Sequence, residues 1–377
     1  MKVMVVFGTR PEAIKMAPLV HRMMQEPEVF EVIVCVTGQH RHLLDQVLEI
    51  FGIIPDFDLN IMTPGQTLSD LTAVILTKMN LILMKTRPDY VLVHGDTTTT
   101  FATALASFFL DIPVGHVEAG LRTNNLRSPF PEEFNRQTVS RLAHFHFAPT
   151  NLCAENLMKE GVMPERIAVT GNTVIDALNW TLNLIDGSPI TKAQTSSALL
   201  DLLNLDCQTN KYILITGHRR ENFGSGFLEI CHALLELANR YPQIHFVYPV
   251  HLNPNVQTPV NELLSSQNNI HLIQPLDYLK FVFLLKHCLF VLTDSGGLQE
   301  EAPSLGKPVL LMRDTTERPE AIEAGTIQLV GAAKELIVEG VSKLLENPEH
   351  FKKMANSINP YGDGHAVDAI VFHLKRL

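Results

Sequence analysis

Short apolar runs rich in β-branched residues recur along this chain, always with room for a helix between them, and the series occurs twice. In the first half the predicted strands are residues 3–7, 32–37, 90–94, 114–118, 144–148 and 167–170. In the second half they are residues 212–216, 245–249, 270–273, 290–293, 309–312 and 327–330. Helical patterns such as residues 13–24 and 68–84 separate them. Strands of about five residues that alternate with helices build parallel sheets covered on both faces. Two such series in 377 residues predict an α/β chain of two Rossmann-like, doubly wound domains facing a cleft. The predicted domains are residues 1–171 and 172–360, with residues 172–210 read as mixed helix and polar linker.

Composition narrows the function classes. The formal net charge is -10 and no long basic run occurs, which argues against nucleic acid or an anionic membrane as partner. Cys35, Cys153, Cys207, Cys231 and Cys288 form no CxxC pair and no zinc spacing, as expected of free thiols in a reducing compartment. The first apolar run is too short for a secretory signal and stops at Gly8-Thr9-Arg10-Pro11. The apolar stretch 281–293 is interrupted by Lys286 and His287, short of a membrane span. A soluble, cytoplasmic protein is expected.

In open α/β sheets, ligands bind beyond the carboxyl ends of the strands. The polar chemistry of this chain concentrates there. The first strand runs into Gly8-Thr9-Arg10-Pro11-Glu12, which is not the GxGxxG fingerprint of dinucleotide binding. A glycine turn followed by Arg10 and Lys15 suits phosphate instead; the plain alternative is a turn before a helix with Pro11 in its first turn. The run His94-Gly95-Asp96-Thr97 offers a carboxylate, or simply a helix N-cap. Glu118 ends the next strand, before Ala119-Gly120, and Glu132 and Glu133 follow a proline-rich loop where they also suit a helix N-terminus. Acidic residues on neighbouring loops are what general acid/base chemistry uses.

The second series opens with Thr216-Gly217-His218-Arg219-Arg220, a histidine beside two arginines that suit an anionic ligand. Asp294-Ser295-Gly296-Gly297 then follows an apolar strand and opens a helix, so that backbone N–H groups face a phosphate, with Glu301 in reach of a ribose diol. Arg313 and Arg318 lie after the next strand. A nucleoside diphosphate fits these residues. His40 and His42, and His144 and His146, are alternating pairs without further ligands, so no metal is expected. Neither a Walker A loop nor a G-x-S-x-G elbow is present.

The segments FGTRPEAIKMAPLV, HGDTTTT, HVEAGLRT, PEEFNRQ, GNTVIDAL, GHRREN, YPVHLNPNV, DSGGLQEEAPSLGKPVL, RDTTERPEA and NPYGDG occur in this order. Over essentially the whole chain they resemble the bacterial non-hydrolysing UDP-GlcNAc 2-epimerases. The resemblance implies the two-domain arrangement of GT-B glycosyltransferases, with a C-terminal helix (residues 361–377) that joins the first domain, and a homodimer. It implies reversible conversion of UDP-GlcNAc to UDP-ManNAc through elimination of UDP and a 2-acetamidoglucal, with no cofactor. UDP-ManNAc then supplies surface-polysaccharide synthesis. On matching positions it implies Asp96, Glu118 and Glu132 as acid/base carboxylates and His218 as a fourth group near the diphosphate. Arg10, Lys15, Ser295, Gly296, Gly297, Glu301 and Arg318 match nucleotide contacts, and Leu276 and Phe281 match uracil contacts. Gln39, Gln66, Arg220 and His251 match a site for a second, activating UDP-GlcNAc; His42 and Gly65 depart from that site's fuller pattern.

A hydrolysing 2-epimerase would share the fold, and the uninterrupted match at GHRREN and RDTTERPEA stands against it. A GT-B glycosyltransferase would share the nucleotide residues, and three carboxylates where an acceptor would sit stand against that. A UDP-sugar-binding sensor has no support beyond the nucleotide site.

Overall fold

The computed structural model describes all residues except His40 and Pro64; the side chains of His42 and Arg220 also lie outside the described residues. The chain forms two compact units, Met1–Ala177 with Tyr361–Leu377, and Leu178–Pro360.

The first unit is built on seven strands: β1 (Lys2–Phe7), β2 (Glu31–Val36), β3 (Phe57–Asp58), β4 (Tyr90–His94), β5 (Val114–Val117), β6 (Phe145–Ala148) and β7 (Ile167–Val169). All pairings are parallel, in the order β3-β2-β1-β4-β5-β6-β7. Val3 in β1 pairs with Val32 on one side and Tyr90 on the other. Strand order therefore reverses at β1, and the loops after β1 and β4 diverge to opposite faces of the sheet, the arrangement that opens a crevice at the carboxyl ends. Val3 to Phe7 are fully buried, as expected of a strand covered on both faces.

The second unit repeats this plan with β8 (Tyr212–Thr216), β9 (His245–Pro249), β10 (Ile270–Ile273), β11 (Val291–Thr293), β12 (Val309–Leu311) and β13 (Ile327–Leu329). Its parallel order is β10-β9-β8-β11-β12-β13, so the reversal falls between β8 and β11. The loops after β8 and β11 carry residues 217–220 and 294–297, the motifs singled out above.

Local sequence explains where the helices begin. The helix Arg10–Met24 starts behind Thr9, whose side chain accepts the Glu12 N–H while Glu12 reaches back in a capping box, with Pro11 in the first turn. It buries Ala13, Met16, Ala17, Val20 and Met23. On it lies the C-terminal helix Ala366–Leu374, where Arg22 Nε meets Asp368 at 2.7 Å and Lys375 pairs with Glu26.

Several expectations need amendment. Residues 172–210 are mostly helix, Thr173–Asp186 and Pro189–Leu203, because Ser188 caps the second helix and Pro189 starts it. The two-residue strand β3 carries no apolar run of its own. β5 ends at Val117, since Glu118 turns to φ +61. Among the described residues no helix is long and apolar enough to cross a membrane.

Candidate active site

Glu118 occupies the left-handed region, which costs a side-chain-bearing residue on the order of 1 kcal/mol or more and is held only where the surroundings over-determine it. Its carboxylate is nearly buried. Lys15, from the helix after β1, forms an ion pair with Oε2, and the Asn172 amide donates to the same oxygen at 2.7 Å. His94, at the end of β4, brings Nε2 to 3.7 Å from it. Burial pushes His94 down to about 4, against the pull of Glu118, so its ring is neutral at physiological pH. His116, one strand over, is likewise pushed down to about 4 by burial, and its Nε2 sits 2.7 Å from the Gly95 carbonyl. A neutral ring in that position carries its proton on Nε2.

His94 pairs with Val117 across the sheet, so the loops bearing Asp96 and Glu118 leave side by side. The N-cap alternative for Asp96 fails: Thr97 caps the helix Thr98–Phe109, its hydroxyl accepting from the Thr100 N–H. The Asp96 carboxylate instead meets Arg136 Nη2 at 2.6 Å, and its carbonyl accepts from the Asn135 amide at 2.7 Å. Arg136 and Asn135 stand on the first turns of the helix Glu132–Leu142, which Glu132 opens half-buried. One helix end thus joins Glu132 to the Asp96 loop.

Glu133 does different work. Fully buried, it accepts the N–H groups of Thr123 and Asn124 at 3.1 and 3.0 Å and bonds Gln137 and Arg136. Burial opposes its charge, yet Gln137 and the backbone donors hold its pKa below the usual carboxylate range. Glu12 is similarly structural. It accepts from Gly8 N–H (2.9 Å), Thr9 N–H (2.8 Å), the Thr9 hydroxyl, and the hydroxyls of Thr97 and Thr100, which tie the loops after β1 and β4 together. Arg10 begins the helix beside it, half-buried. Gln39 accepts from the Thr99 hydroxyl at 3.2 Å, and Gln66 lies in the loop before the helix Leu68–Thr86.

In the second unit, the fully buried Asp294 organises the loop after β8. Its Oδ2 accepts the N–H groups of His218 and Arg219, both at 2.8 Å, and its Oδ1 lies 3.3 Å from His218 Nδ1. The His218 ring stacks on His251 at 5.3 Å and 18°. The turn Ser295-Gly296-Gly297 opens the short helix Leu298–Ser304. A Cβ at Gly296 would lie 2.9 Å from Arg318 Nη1, 3.2 Å from Glu317 Oε1 and 3.4 Å from Arg219 Nη2, so charged side-chain ends crowd this turn and a larger residue would have to displace Arg318. Arg318 is buried against Glu300 (2.6 Å) and Glu317, and Arg313 bonds Glu317 and Glu221. Burial works against the Glu317 charge, but Arg318 and Arg313 hold its pKa far below the usual range. Glu301 accepts from the Tyr278 hydroxyl at 2.8 Å. Leu276 is buried just before the helix Tyr278–His287, and Phe281 is half-buried on that helix.

The structure therefore brings Lys15, Asp96, Glu118 and Glu132 to the strand ends of one unit. It brings His218, His251, Ser295, Gly296, Gly297 and Arg318 to those of the other. The Arg220 side chain and His40 lie outside the described residues, and so does the side chain of His42. His144 is exposed before β6 while His146 is buried within it. Among the described residues no group of three His, Cys, Asp or Glu side chains could hold a metal ion. Asn172 and Asp294 lie within the quoted segments, but nothing in their local sequence marks them as partners of Glu118 and His218; only the fold brings them there.

Known proteins give the same picture. The family profile described as UDP-N-acetylglucosamine 2-epimerase matches residues 22–375. The UDP-N-acetylglucosamine 2-epimerase of Escherichia coli K12 is 56% identical over 375 residues, covering 100% of this chain and 98% of that one. The crystal structure of UDP-GlcNAc 2-epimerase from Neisseria meningitidis bound to UDP-GlcNAc superposes with a TM-score of 0.94 at 52% identity, covering 100% of both chains. That from Methanocaldococcus jannaschii, in complex with UDP-GlcNAc and UDP, gives 0.84 at 33% identity, again over 100% of both. The expected fold class, two doubly wound parallel-sheet units of GT-B-like type, holds. The chain belongs to the UDP-N-acetylglucosamine 2-epimerase family.

Proposed function

We propose that this protein interconverts UDP-GlcNAc and UDP-ManNAc without hydrolysing either. The observation that carries this is the Glu118 carboxylate, held on a left-handed backbone and ion-paired to Lys15, on the loop beside Asp96. No carbonyl adjoins C2 of the sugar, so its proton is not acidic on its own. Elimination solves the problem: a carboxylate takes the C2 proton, the C1–O bond to UDP breaks, and 2-acetamidoglucal forms. Return of a proton to the opposite face of C2 and re-addition of UDP at C1 give the epimer. Asp96, Glu118 and Glu132 serve as acid/base groups and stabilise positive charge developing at C1. Positioned proton transfer of this kind contributes roughly 10²–10⁴-fold in rate.

The departing diphosphate carries negative charge, which cationic and N–H groups stabilise. His218, Arg318 and the turn Ser295-Gly296-Gly297 take that role, and Arg10 and Lys15 are further nucleotide contacts. Glu301 holds the ribose, and Leu276 and Phe281 the uracil. The reaction consumes no oxidant, so no cofactor is required. A second UDP-GlcNAc acts as activator through Gln39, Gln66, Arg220 and His251. The protein works in the cytoplasm as a homodimer and supplies UDP-ManNAc for surface polysaccharides.

The test is product identity. Purified protein incubated with UDP-GlcNAc alone is expected to give UDP-ManNAc with intact diphosphate by proton and phosphorus NMR. Free N-acetylmannosamine and UDP would move it to the hydrolysing class, and no change would refute epimerisation.

A further inference from the structure

Asn172 stands three residues after β7 and is buried. Both ends of its amide are used. Nδ2 donates to Glu118 Oε2 at 2.7 Å, and Oδ1 accepts the Val174 N–H at 3.0 Å in the first turn of the helix Thr173–Asp186. Its backbone N–H donates to the Tyr361 carbonyl at 2.8 Å. These bonds meet where the chain changes units, for it leaves the first unit after Ala177 and returns at Tyr361.

The two passages run backbone against backbone. Gly171 has φ +84, and a Cβ there would lie 3.2 Å from the Tyr361 carbonyl oxygen. A Cβ at Gly362 would lie 3.3 Å from the Gly171 Cα. No side chain separates the two backbone passages at Gly171 and Gly362, so Asn172 is located by covalent neighbours and by the returning chain together.

We infer, on the basis of the epimerase chemistry proposed above, that Asn172 is a positioning residue for Glu118: it fixes the orientation of that carboxylate and ties it to the point where the two chain passages meet. An amide suits the task because it donates to the ionised carboxylate, and a donor to the charged form favours that form. An aspartate would repel it. Titratable groups around Glu118 among the described residues include Lys15 on the helix after β1, His94 on β4, His116 on β5 and Asp96 on the adjoining loop. Lys15 supplies charge to Oε2; Asn172 supplies direction from the turn that follows β7.

Asn172→Asp and Asn172→Ser test this against wild type. Each is assayed for kcat and KM across pH, for UDP binding by calorimetry, and for thermal melting. Ser retains an acceptor for the Val174 N–H, so it remains readable if the Asp variant does not fold. We expect kcat to fall about 10–100-fold in both, with KM for UDP-GlcNAc and Kd for UDP within about threefold of wild type. The acid limb of kcat is expected to move to higher pH, further for Asp, because a neighbouring carboxylate disfavours the ionised form of Glu118. Folded variants with wild-type kcat and an unmoved limb would overturn the assignment, as would an equal loss at every pH. A wild-type protein that leaves both UDP-sugars unchanged would overturn the epimerase chemistry and this assignment with it. An active wild type with unaffected variants overturns the assignment alone.

Discussion

His218 Nδ1 lies 3.3 Å from Oδ1 of the fully buried Asp294, whose other oxygen accepts the backbone N–H groups of His218 and Arg219. One carboxylate thus fixes both the ring and the loop that carries it. Burial raises the pKa of Asp294, but His218 and the two N–H donors prevail and hold it below the ordinary value. Its stabilisation is therefore present above the unfolded value and lost as pH falls through the lowered folded one. Asn at this position keeps an acceptor for the N–H groups and loses the charge. Asp294→Asn is expected to cost on the order of 10²-fold in kcat through misplacement of His218, and to flatten the acid side of the stability curve. Steady-state kinetics and urea unfolding at several pH values check both.

Asp176 carries the opposite sign. Its Oδ1 accepts the Val367 N–H at 3.0 Å, while Oδ2 is buried with no hydrogen-bond partner among the described residues. Burial pushes its pKa up from 3.8 to about 6. A raised carboxylate pKa makes the folded state bind more protons than the unfolded one, so stability falls as pH rises from 3.8 to about 6. The loss at neutral pH is on the order of 2–3 kcal/mol. Asp176→Asn keeps the acceptor without the charge. It is expected to be at least as stable as wild type at pH 8 and to lose that slope, measured by urea unfolding at pH 5 and pH 8.

Asp96 is held by Arg136 at 2.6 Å on a loop whose helix is capped by Thr97. Its carboxylate can therefore be removed without uncapping the helix. Asp96→Asn is expected to lower turnover by about 10²–10⁴-fold while UDP binding, measured by calorimetry, stays within a few-fold of wild type.

Activation by a second UDP-GlcNAc has a kinetic signature. Rate against UDP-GlcNAc concentration should be sigmoidal, and UDP-ManNAc alone should react slowly until UDP-GlcNAc is added. Gln39→Ala should weaken the sigmoidicity more than it lowers the limiting rate. A hyperbolic curve with full-speed reverse reaction from UDP-ManNAc alone would count against the activator site.

Much of this arrangement was legible in the chain. The runs 90–94, 212–216, 245–249 and 270–273 coincide with observed strands, since apolar β-branched runs bounded by polar turns leave little freedom in a buried parallel sheet. β3 was invisible because two residues at a sheet edge need no apolar pattern. The end of β5 was misjudged by one residue because the left-handed turn falls on a glutamate and not on a glycine. Glu132 and Glu133 look alike in sequence, yet only the fold sends Glu133 back to the Thr123 and Asn124 N–H groups. Lys15 reads locally as a phosphate ligand, and local sequence gives no sign that the structure also brings it to Glu118, 103 residues away. Contacts of that kind depend on which strands lie side by side, and local pattern does not encode them.

In the proposed reaction the C2 proton leaves and returns through Asp96, Glu118 and Glu132. Incubation of the purified protein with UDP-GlcNAc in D₂O, without added metal or nicotinamide cofactor, followed by proton NMR, tests it most directly. The expected result is UDP-ManNAc carrying deuterium at C2, with deuterium also appearing at C2 of the recovered UDP-GlcNAc. UDP-ManNAc that forms with its C2 proton fully retained would contradict exchange of that proton through Asp96, Glu118 and Glu132.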